Sequence, residues 1–302
     1  MLEAARILAK TKTKKNVRFI SFTLEEQNPA RVLQTRELAK ELGLVDDNYR
    51  YLSWRSQKLV KEMFRLRVKT LRKGTTNAEA WELIMKELRS KLTEKERKYF
   101  ELYKKLYSQD TRTTWLGKSA LIGSSRWVEK ALKEQKKILG VINLETIGYT
   151  SARKHSQKSP MGFLTRLFPR YKVNIRKGKG NFIAITADKN SKQLAKTFYR
   201  QCRRKTINLP YLCAQIPFLS FEGIAKRARD VLRSDHGPFW RAGIPAIMLT
   251  DTANFRYPYY HTRADTIDKL DFDFIKKVTQ ATIAATMALI KDSKDDSNPQ
   301  ND

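Results

Sequence analysis

The chain has 302 residues, and 61 Lys or Arg against 31 Asp or Glu give it a formal net charge of +30. Its 41% content of apolar residues is enough to bury a core, which argues against a disordered chain. No run reaches the roughly 20 apolar residues of a membrane-spanning helix. The charge favours anionic partners such as nucleic acid, but the basic residues are spread along the chain without a nucleic-acid-binding signature, so we expect such binding to be unspecific.

The first 28 residues predict a short helix, a strand and a carboxylate pair. Residues 1–9 have a helical apolar face, and 17–22 (VRFISF) predict a strand. No basic region followed by an apolar stretch opens the chain, so the sequence as written predicts a cytoplasmic protein, although a longer form could be secreted. Glu25 and Glu26 follow the predicted strand directly. An adjacent Glu pair is usually a solvated loop feature, but after a strand it offers one carboxylate for a cation and one for a proton.

Residues 29–115 change in character and predict a helical segment. Charged, helix-forming runs alternate with breaks near Gly74 and Gln109, and no internal repeat is present. We interpret this segment as a helical insertion whose apolar faces pack on a parent domain, with a separate binding module as the alternative. The predicted helices cover 31–42, 54–71, 78–92 and 94–106.

From residue 116 onwards, strands alternate with helices. This order predicts an α/β fold with a mostly parallel mixed sheet and helices on both faces, and it places functional groups at the carboxyl ends of strands. Residues 293–302 are polar and predict a flexible tail. The predicted strands are 140–144, 181–186 and 244–250, and the predicted helices are 125–139, 191–203 and 272–290.

Several residues in this part could carry chemistry. Glu145 ends the strand 140–144, where it is either a turn cap or a ligand, and His261 lies in an aromatic loop. A lone histidine is more often structural than metal-binding. Cys202 and Cys213 match no metal-binding spacing and predict two structural free thiols, with a disulfide as the alternative.

Three runs in the same order resemble the M28 zinc peptidases. SDHGPFWRAGIPAIMLTDTANFRYPYYHTRADTIDKLDF (234–272) resembles the family's C-terminal signature. RFISFTLEE (18–26) resembles the strand that ends in its catalytic Glu-Glu pair, and GVINLETIGY (140–149) the strand that ends in the next acidic ligand. The resemblance implies a zinc-peptidase fold formed by 1–28 and 116–292, interrupted by the insertion at 29–115.

The resemblance also implies an aminopeptidase that uses two zinc ions to release N-terminal residues from peptides. Glu25 would then be the general base and Glu26 a ligand of one zinc. Glu145, where many relatives carry Asp, and His261 would hold the other zinc. The remaining implied roles are donation to the oxyanion of the reaction intermediate by Tyr260 and orientation of neighbouring groups by Asp235, His236 and Asp265.

Part of the family's metal site is expected to be missing. In the family, a His-x-Asp segment and a bridging Asp precede the helix that residues 1–9 resemble. We therefore expect at most one weakly held zinc and impaired hydrolysis, and do not expect His155 or His236 to substitute. The favoured explanation is a gene fragment or misassigned start. The alternatives are a split enzyme completed by another chain and a pseudopeptidase that binds nucleic acid or anionic surfaces. Glutaminyl cyclisation with one zinc is a further alternative reaction.

Overall fold

The computed structural model describes residues 1–11, 15–72, 75–111, 113–158 and 162–292, so the tail predicted at 293–302 lies outside the described residues. The chain forms two compact units. Met1–Ser21 and Val128–Asp302 form the sheet unit, and Phe22–Trp127 form the helical unit. No helix in the described ranges is long and apolar enough to span a bilayer.

Helices are present in both units. The helical unit contains α2 to α5, and α6 crosses the boundary between the units along the chain. The helices are α1 (Leu2–Leu8), α2 (Pro29–Glu41), α3 (Trp54–Arg72), α4 (Asn77–Leu88), α5 (Glu94–Tyr107), α6 (Ile122–Lys133), α7 (Lys192–Cys202), α8 (Phe221–Arg227), α9 (His236–Arg241) and α10 (Phe272–Asp292).

The sheet unit is built on a five-stranded mixed sheet in the order β1-β5-β3-β4-β2. The pairs β1–β5 and β3–β4 are parallel, whereas β3–β5 and the short β2–β4 pair are antiparallel. The mostly parallel mixed sheet predicted from the sequence is therefore confirmed. The strands are β1 (Val141–Glu145), β2 (Arg170–Tyr171), β3 (Ile183–Asp188), β4 (Tyr211–Ile216) and β5 (Ala246–Thr250).

One face of this sheet is sealed by α7 and α10. Ile185 of β3 and Leu249 of β5 are fully buried on that face, where they join Phe198 of α7 and Val278 of α10 in one apolar cluster. Side chains alternate between the two faces of a strand, so Asn143 and Glu145 lie on the opposite face from Ile142 and Leu144. Helix α9 packs on β1 and β5. Cys202 and Cys213 are buried free thiols, as predicted.

The helical unit has its own core, formed where α2 to α5 meet. Met63, Trp81 and Phe100 are fully buried in it. Helices α4 and α5 each begin with a capping box, in which the side chain of Thr76 or Thr93 and that of Glu79 or Glu96 satisfy amide groups reciprocally. Whether this unit is an insertion into an older domain stays a prediction.

The sequence predictions for secondary structure fail at one informative place. Residues 17–22 form no strand, because a strand exists only when a neighbour hydrogen-bonds to it and none pairs with this segment in the described chain. Strands β2 and β4 and helices α8 and α9 were not predicted. The strands β1, β3 and β5 and the closing helix α10 are confirmed.

Candidate active site

The carboxyl ends of β1 and β5 lie side by side at one edge of the sheet. The two strands are parallel, and Glu145 pairs in register with Thr250. Within two residues of the strand ends, the β-branched residues Thr146 (φ 43°) and Thr252 (φ 78°) adopt left-handed backbone conformations. Such conformations cost about 1–3 kcal/mol each and concentrate at functional sites. This edge is therefore the first place to seek a reactive centre.

Glu145 is held in place by a chain of hydrogen bonds. The Ser234 hydroxyl donates to Glu145 Oε2 at 2.7 Å, and Asn143 Nδ2 donates to the same hydroxyl at 2.8 Å. Ser234 is buried, so its position is fixed by packing. A carboxylate that accepts such a bond at a strand end is oriented in advance for a cation or a donor group.

The loop that follows β5 is tied down by the buried carboxylate of Asp251. Its Oδ2 accepts from the backbone amides of Gly148 and Tyr149 at 3.1 and 2.8 Å, and its Oδ1 accepts from the amide of Ala253 at 2.9 Å. Burial raises the pKa of Asp251, and the hydrogen bonds from Tyr149 and Ala253 oppose that rise. Asp251 therefore connects the turn after β1 to the loop after β5.

Arg256 fixes the same loop from the other side. Its Nε donates to Gln157 Oε1 at 2.8 Å and its Nη1 to the carbonyl of Tyr149 at 3.2 Å, while the guanidinium lies 4.7 Å from the Phe182 ring centre. Burial lowers the pKa of Arg256 to about 10. The sequence analysis missed both Asp251 and Arg256. The sequence did contain a signal for each: Asp251 directly follows a buried strand, and Arg256 lies in an aromatic loop.

The loop fixed in this way carries Tyr260 and His261. Their rings stack with centroids 3.9 Å apart, and His261 has a left-handed backbone (φ 60°) and an exposed side chain. A stacked tyrosine restricts the rotation of the imidazole. The structure thus places these two predicted site residues next to each other.

Glu145 and Tyr260 line one cavity of about 150 Å³ on the sheet face opposite α7 and α10, which we call the sheet-face cavity. Its walls are mainly apolar, and the charged residues in its lining besides Glu145 are Lys158, Asp230 and Arg233. The apolar walls include Phe168, Phe182, Ala184, Leu212 and Met248.

His236 is buried in the core instead of facing this edge. Its Nε2 lies 2.7 Å from the carbonyl oxygen of Val231, and its ring packs edge-on against Trp240 at 4.5 Å. Burial lowers the pKa of His236 to about 4, so the imidazole is neutral at physiological pH. These contacts fix α9 beneath the Ser234 hydroxyl that orients Glu145.

Asp235 and Asp265 occupy supporting positions of different kinds. Asp235 immediately precedes α9, next to Ser234 in the chain. Asp265 accepts a hydrogen bond from the Tyr257 hydroxyl at 2.7 Å, and the Tyr257 ring packs against Tyr149 at 4.4 Å. Asp265 is therefore connected to the turn after β1 by the contacting rings of Tyr257 and Tyr149.

Glu25 and Glu26 belong to the helical unit, whereas the other six predicted site residues belong to the sheet unit. The backbone carbonyl of Glu25 accepts from the amide of Leu121 at 3.0 Å, and Glu26 is exposed. Neither residue ends a strand, because residues 17–22 form none. The expectation that the pair follows a strand is wrong, and its proposed roles stay predictions.

Glu145 at the sheet edge and His261 in the loop after β5 have the right chemistry for zinc but fall short in number. A carboxylate (Glu145) and an imidazole (His261) are both common zinc ligands, and a catalytic zinc takes three protein ligands. Within the described ranges, no three His, Cys, Asp or Glu side chains are grouped to hold a metal ion. We therefore derive no reaction step through a metal from these residues.

Comparison with known proteins identifies the family of this chain. The sequence profile of Peptidase family M28 matches residues 117–286. The uncharacterized protein YfbL of Escherichia coli (strain K12) is 30% identical over 146 residues, which is 47% of this chain and 39% of that protein. This chain therefore spans well under half the length of that relative.

Two solved structures of the LapA aminopeptidase of Legionella pneumophila also match. One has 16% identity and a TM-score of 0.37, with 57% of this chain and 36% of that chain covered. The other has 17% identity and a TM-score of 0.38, with 56% and 37% covered.

Proposed function

The chain belongs to peptidase family M28, whose profile matches more than half of it, and we propose that it is an aminopeptidase-type hydrolase. In this proposal, the carboxyl edge of the sheet binds the N-terminal residue of a peptide. Family membership supports a peptidase-like hydrolase. The zinc requirement, the residue roles and the weakness of the activity go beyond family membership and are part of the proposal.

The observation that carries the proposal is the shared cavity of Glu145 and Tyr260. An apolar cavity of about 150 Å³ can hold a group the size of benzene. The walls are apolar, so the favoured occupant is an aliphatic or aromatic side chain. A peptide whose N-terminal side chain fills the sheet-face cavity would place its backbone near Glu145 and Tyr260.

Each site residue then has a proposed role. Glu145 and His261 would hold one zinc ion, and the chemistry that such an ion would supply is polarisation of a carbonyl. The Tyr260 hydroxyl donates a hydrogen bond to the carbonyl oxygen as negative charge develops on it. Asp235, His236 and Asp265 hold these groups in position. In the helical unit, Glu25 is the proposed general base and Glu26 a ligand of a second zinc.

The proposed activity of this chain is weak. A zinc ion held by Glu145 and His261 alone has fewer ligands than the three of an ordinary catalytic site, and zinc affinity depends on ligand number and geometry. We therefore expect low zinc affinity and slow hydrolysis unless another chain supplies further ligands.

The test is hydrolysis of aminoacyl p-nitroanilides by the purified chain with added zinc. We expect slow zinc-dependent release from the leucine and phenylalanine substrates, less from the aspartate substrate, and loss in both Glu145→Ala and His261→Ala. Glu222→Ala and His155→Ala remove the same kinds of side chain from exposed positions in the same unit and should change little. Hydrolysis that survives in both site variants would contradict the proposal.

A second candidate function is a non-catalytic binding protein that associates with nucleic acid or anionic surfaces. The incomplete ligand group and the net charge of +30 favour it. Salt-sensitive binding of an oligonucleotide by the zinc-free protein, without any aminoacyl hydrolysis, would support this function over the hydrolase.

A further inference from the structure

Helix α3 of the helical unit carries a stripe of cations on its exposed side. Residues three, four and seven apart lie on one face of a helix, and six of the exposed residues of α3 follow this spacing from Trp54 onwards. We call this face the cationic stripe; it consists of Trp54, Lys58, Lys61, Arg65, Val68 and Lys69. It extends for about 22 Å, since a helix rises about 1.5 Å per residue.

The charges of the stripe are not balanced by acids of the same helix. The only acidic residue of α3 is Glu62, and it accepts from Lys91 at 3.3 Å. Arg55 forms an ion pair with Glu96, and within the described chain none of the four stripe cations forms one. By contrast, α4 exposes three glutamates and one lysine, and α5 exposes both signs. The single sign is therefore a property of α3 and not of the unit as a whole.

Large apolar side chains are exposed along the same helix and at its start. Trp54 is 73% exposed, Leu52 just before it 66%, and Val68 on the stripe 50%. Exposing them costs free energy that a bilayer interface recovers, and tryptophan in particular favours that interface. Cations and apolar groups on one face are typical of helices that lie on anionic membranes.

We propose that α3 docks the protein on the surface of an anionic phospholipid membrane. The lysine and arginine groups contact lipid headgroups, while Trp54, Leu52 and Val68 enter the boundary between headgroups and acyl chains. This interaction surface does not depend on the proposed hydrolase function.

Nucleic acid fits the stripe less well. Lys58 Nζ lies 5.0 Å from the centre of the Trp54 ring and covers one face of the only aromatic ring on the stripe, where a base would stack. The aliphatic groups of Leu52 and Val68 have no role in contacts with phosphates. Both features are compatible with a lipid surface, because tryptophan and aliphatic side chains insert into it and lysine remains among the headgroups.

The test is co-sedimentation of the full chain with vesicles of phosphatidylcholine, with or without phosphatidylserine, at physiological salt. We expect binding only with phosphatidylserine. The variant Lys58→Gln, Lys61→Gln, Arg65→Gln should bind roughly 100-fold more weakly, since each cation near such a surface contributes about a factor of five. The control Arg204→Gln, Lys205→Gln, Lys276→Gln removes the same charge from exposed positions of the sheet unit and should lose less than threefold, in line with a general charge effect.

A second measurement tests whether Trp54 inserts into the bilayer, and this test does not depend on charge. Brominated lipids should quench part of the tryptophan fluorescence of the bound protein, and Trp54→Phe should lose that quenching while its thermal unfolding is unchanged, because the side chain is exposed. Equal weakening in both triple variants would overturn the proposal. So would tighter binding of a single-stranded RNA than of the anionic vesicles, with that binding lost in the α3 variant.

Discussion

The buried polar groups of the two units have different kinds of hydrogen-bond partners. In the helical unit, buried carboxylates stabilise the helices themselves: Asp110 accepts from Arg31 Nη1 at 2.8 Å, and Glu96 caps α5 while it accepts from Arg55 at 2.7 Å. In the sheet unit, Asp251 and Arg256 bond mainly to the backbone and side chains of irregular loops.

Left-handed backbone conformations at non-glycine residues occur in both units, and the described part of the helical unit has three of them. Four non-glycine residues with left-handed conformations lie in the turns and loop beyond β1 and β5: Thr146, Thr252, Ala253 and His261. Strain that is held in place by a buried network is typical of functional sites, whereas a fully satisfied capping box is typical of scaffold. These differences support the proposal that chemistry takes place at the sheet edge and that the interior of the helical unit has a structural role.

The largest expected effect is on the helical unit. Asp110→Ala removes the acidic partner of the partly buried Arg31, whose guanidinium then keeps, among the described residues, only the hydrogen bond to Ser119 and the contact with the Tyr107 ring. The loss should lower the free energy of unfolding by about 3 kcal/mol. Urea unfolding with hydrogen exchange should show faster exchange in α2 to α5 and unchanged protection of the central strands. Asp47→Ala breaks the exposed pair with Lys40 and serves as control. Equal effects of the two variants would contradict the structural role of Asp110.

The next effect is a pH dependence of the sheet unit. The pKa of His236 is lowered to about 4, so below about pH 6.5 the unfolded chain binds a proton that the native imidazole does not. The contribution of His236 to the free energy of unfolding is complete above pH 6.5 and falls by about 2 kcal/mol between pH 6.5 and pH 5. His236→Gln keeps a donor for the Val231 carbonyl and should lose this slope. The measurement is urea unfolding of both proteins at the two pH values, and identical slopes would show that His236 is not responsible.

The smallest effect is the acid response of the helical unit. Although burial alone raises the pKa of Glu96, hydrogen bonds from Thr93, Arg55 and Ser56 lower it below the ordinary value. Its contribution is present above the unfolded pKa, near 4.5, and is lost as the pH falls through the folded value. Glu96→Gln should cost about 1 kcal/mol at pH 7 and flatten the loss of stability below pH 4.5.

Glu79→Gln is the matched control for that variant, because Glu79 forms the same capping box on α4 without an arginine partner. It should change stability less than Glu96→Gln in thermal unfolding at pH 7. If the two variants unfold at the same temperature, the ion pair with Arg55 contributes nothing and only the cap matters.

Much of the fold follows from local sequence pattern. The apolar runs of β1, β3 and β5 and the amphipathic helices were predicted because burial repeats with the period of each element. Strand β4 (YLCAQI) was missed because its sequence carries a weak strand pattern between two prolines, and its burial arises from pairing with β3. Residues 17–22 show the reverse case: a strong local pattern without a partner forms no strand.

The candidate site was predictable only where its signal is local. Glu145 could be placed at the end of a strand because an acidic residue follows an apolar run, and β1 does end there. The support from Asp251 and Arg256 could not be foreseen, since the contacts of both residues with the turn after β1 join positions about 100 residues apart in the chain. Long-range hydrogen bonds leave no periodic trace in a sequence.

The most direct test of the assignment of chemistry to the sheet edge is zinc affinity, measured by equilibrium dialysis of the full chain and of Glu145→Ala, His261→Ala and the control Glu222→Ala. The account predicts about one weakly bound zinc per chain, with affinity at least ~10-fold lower in both site variants and unchanged in the control. No zinc binding by the natural sequence, or equal affinity in all four proteins, would contradict it.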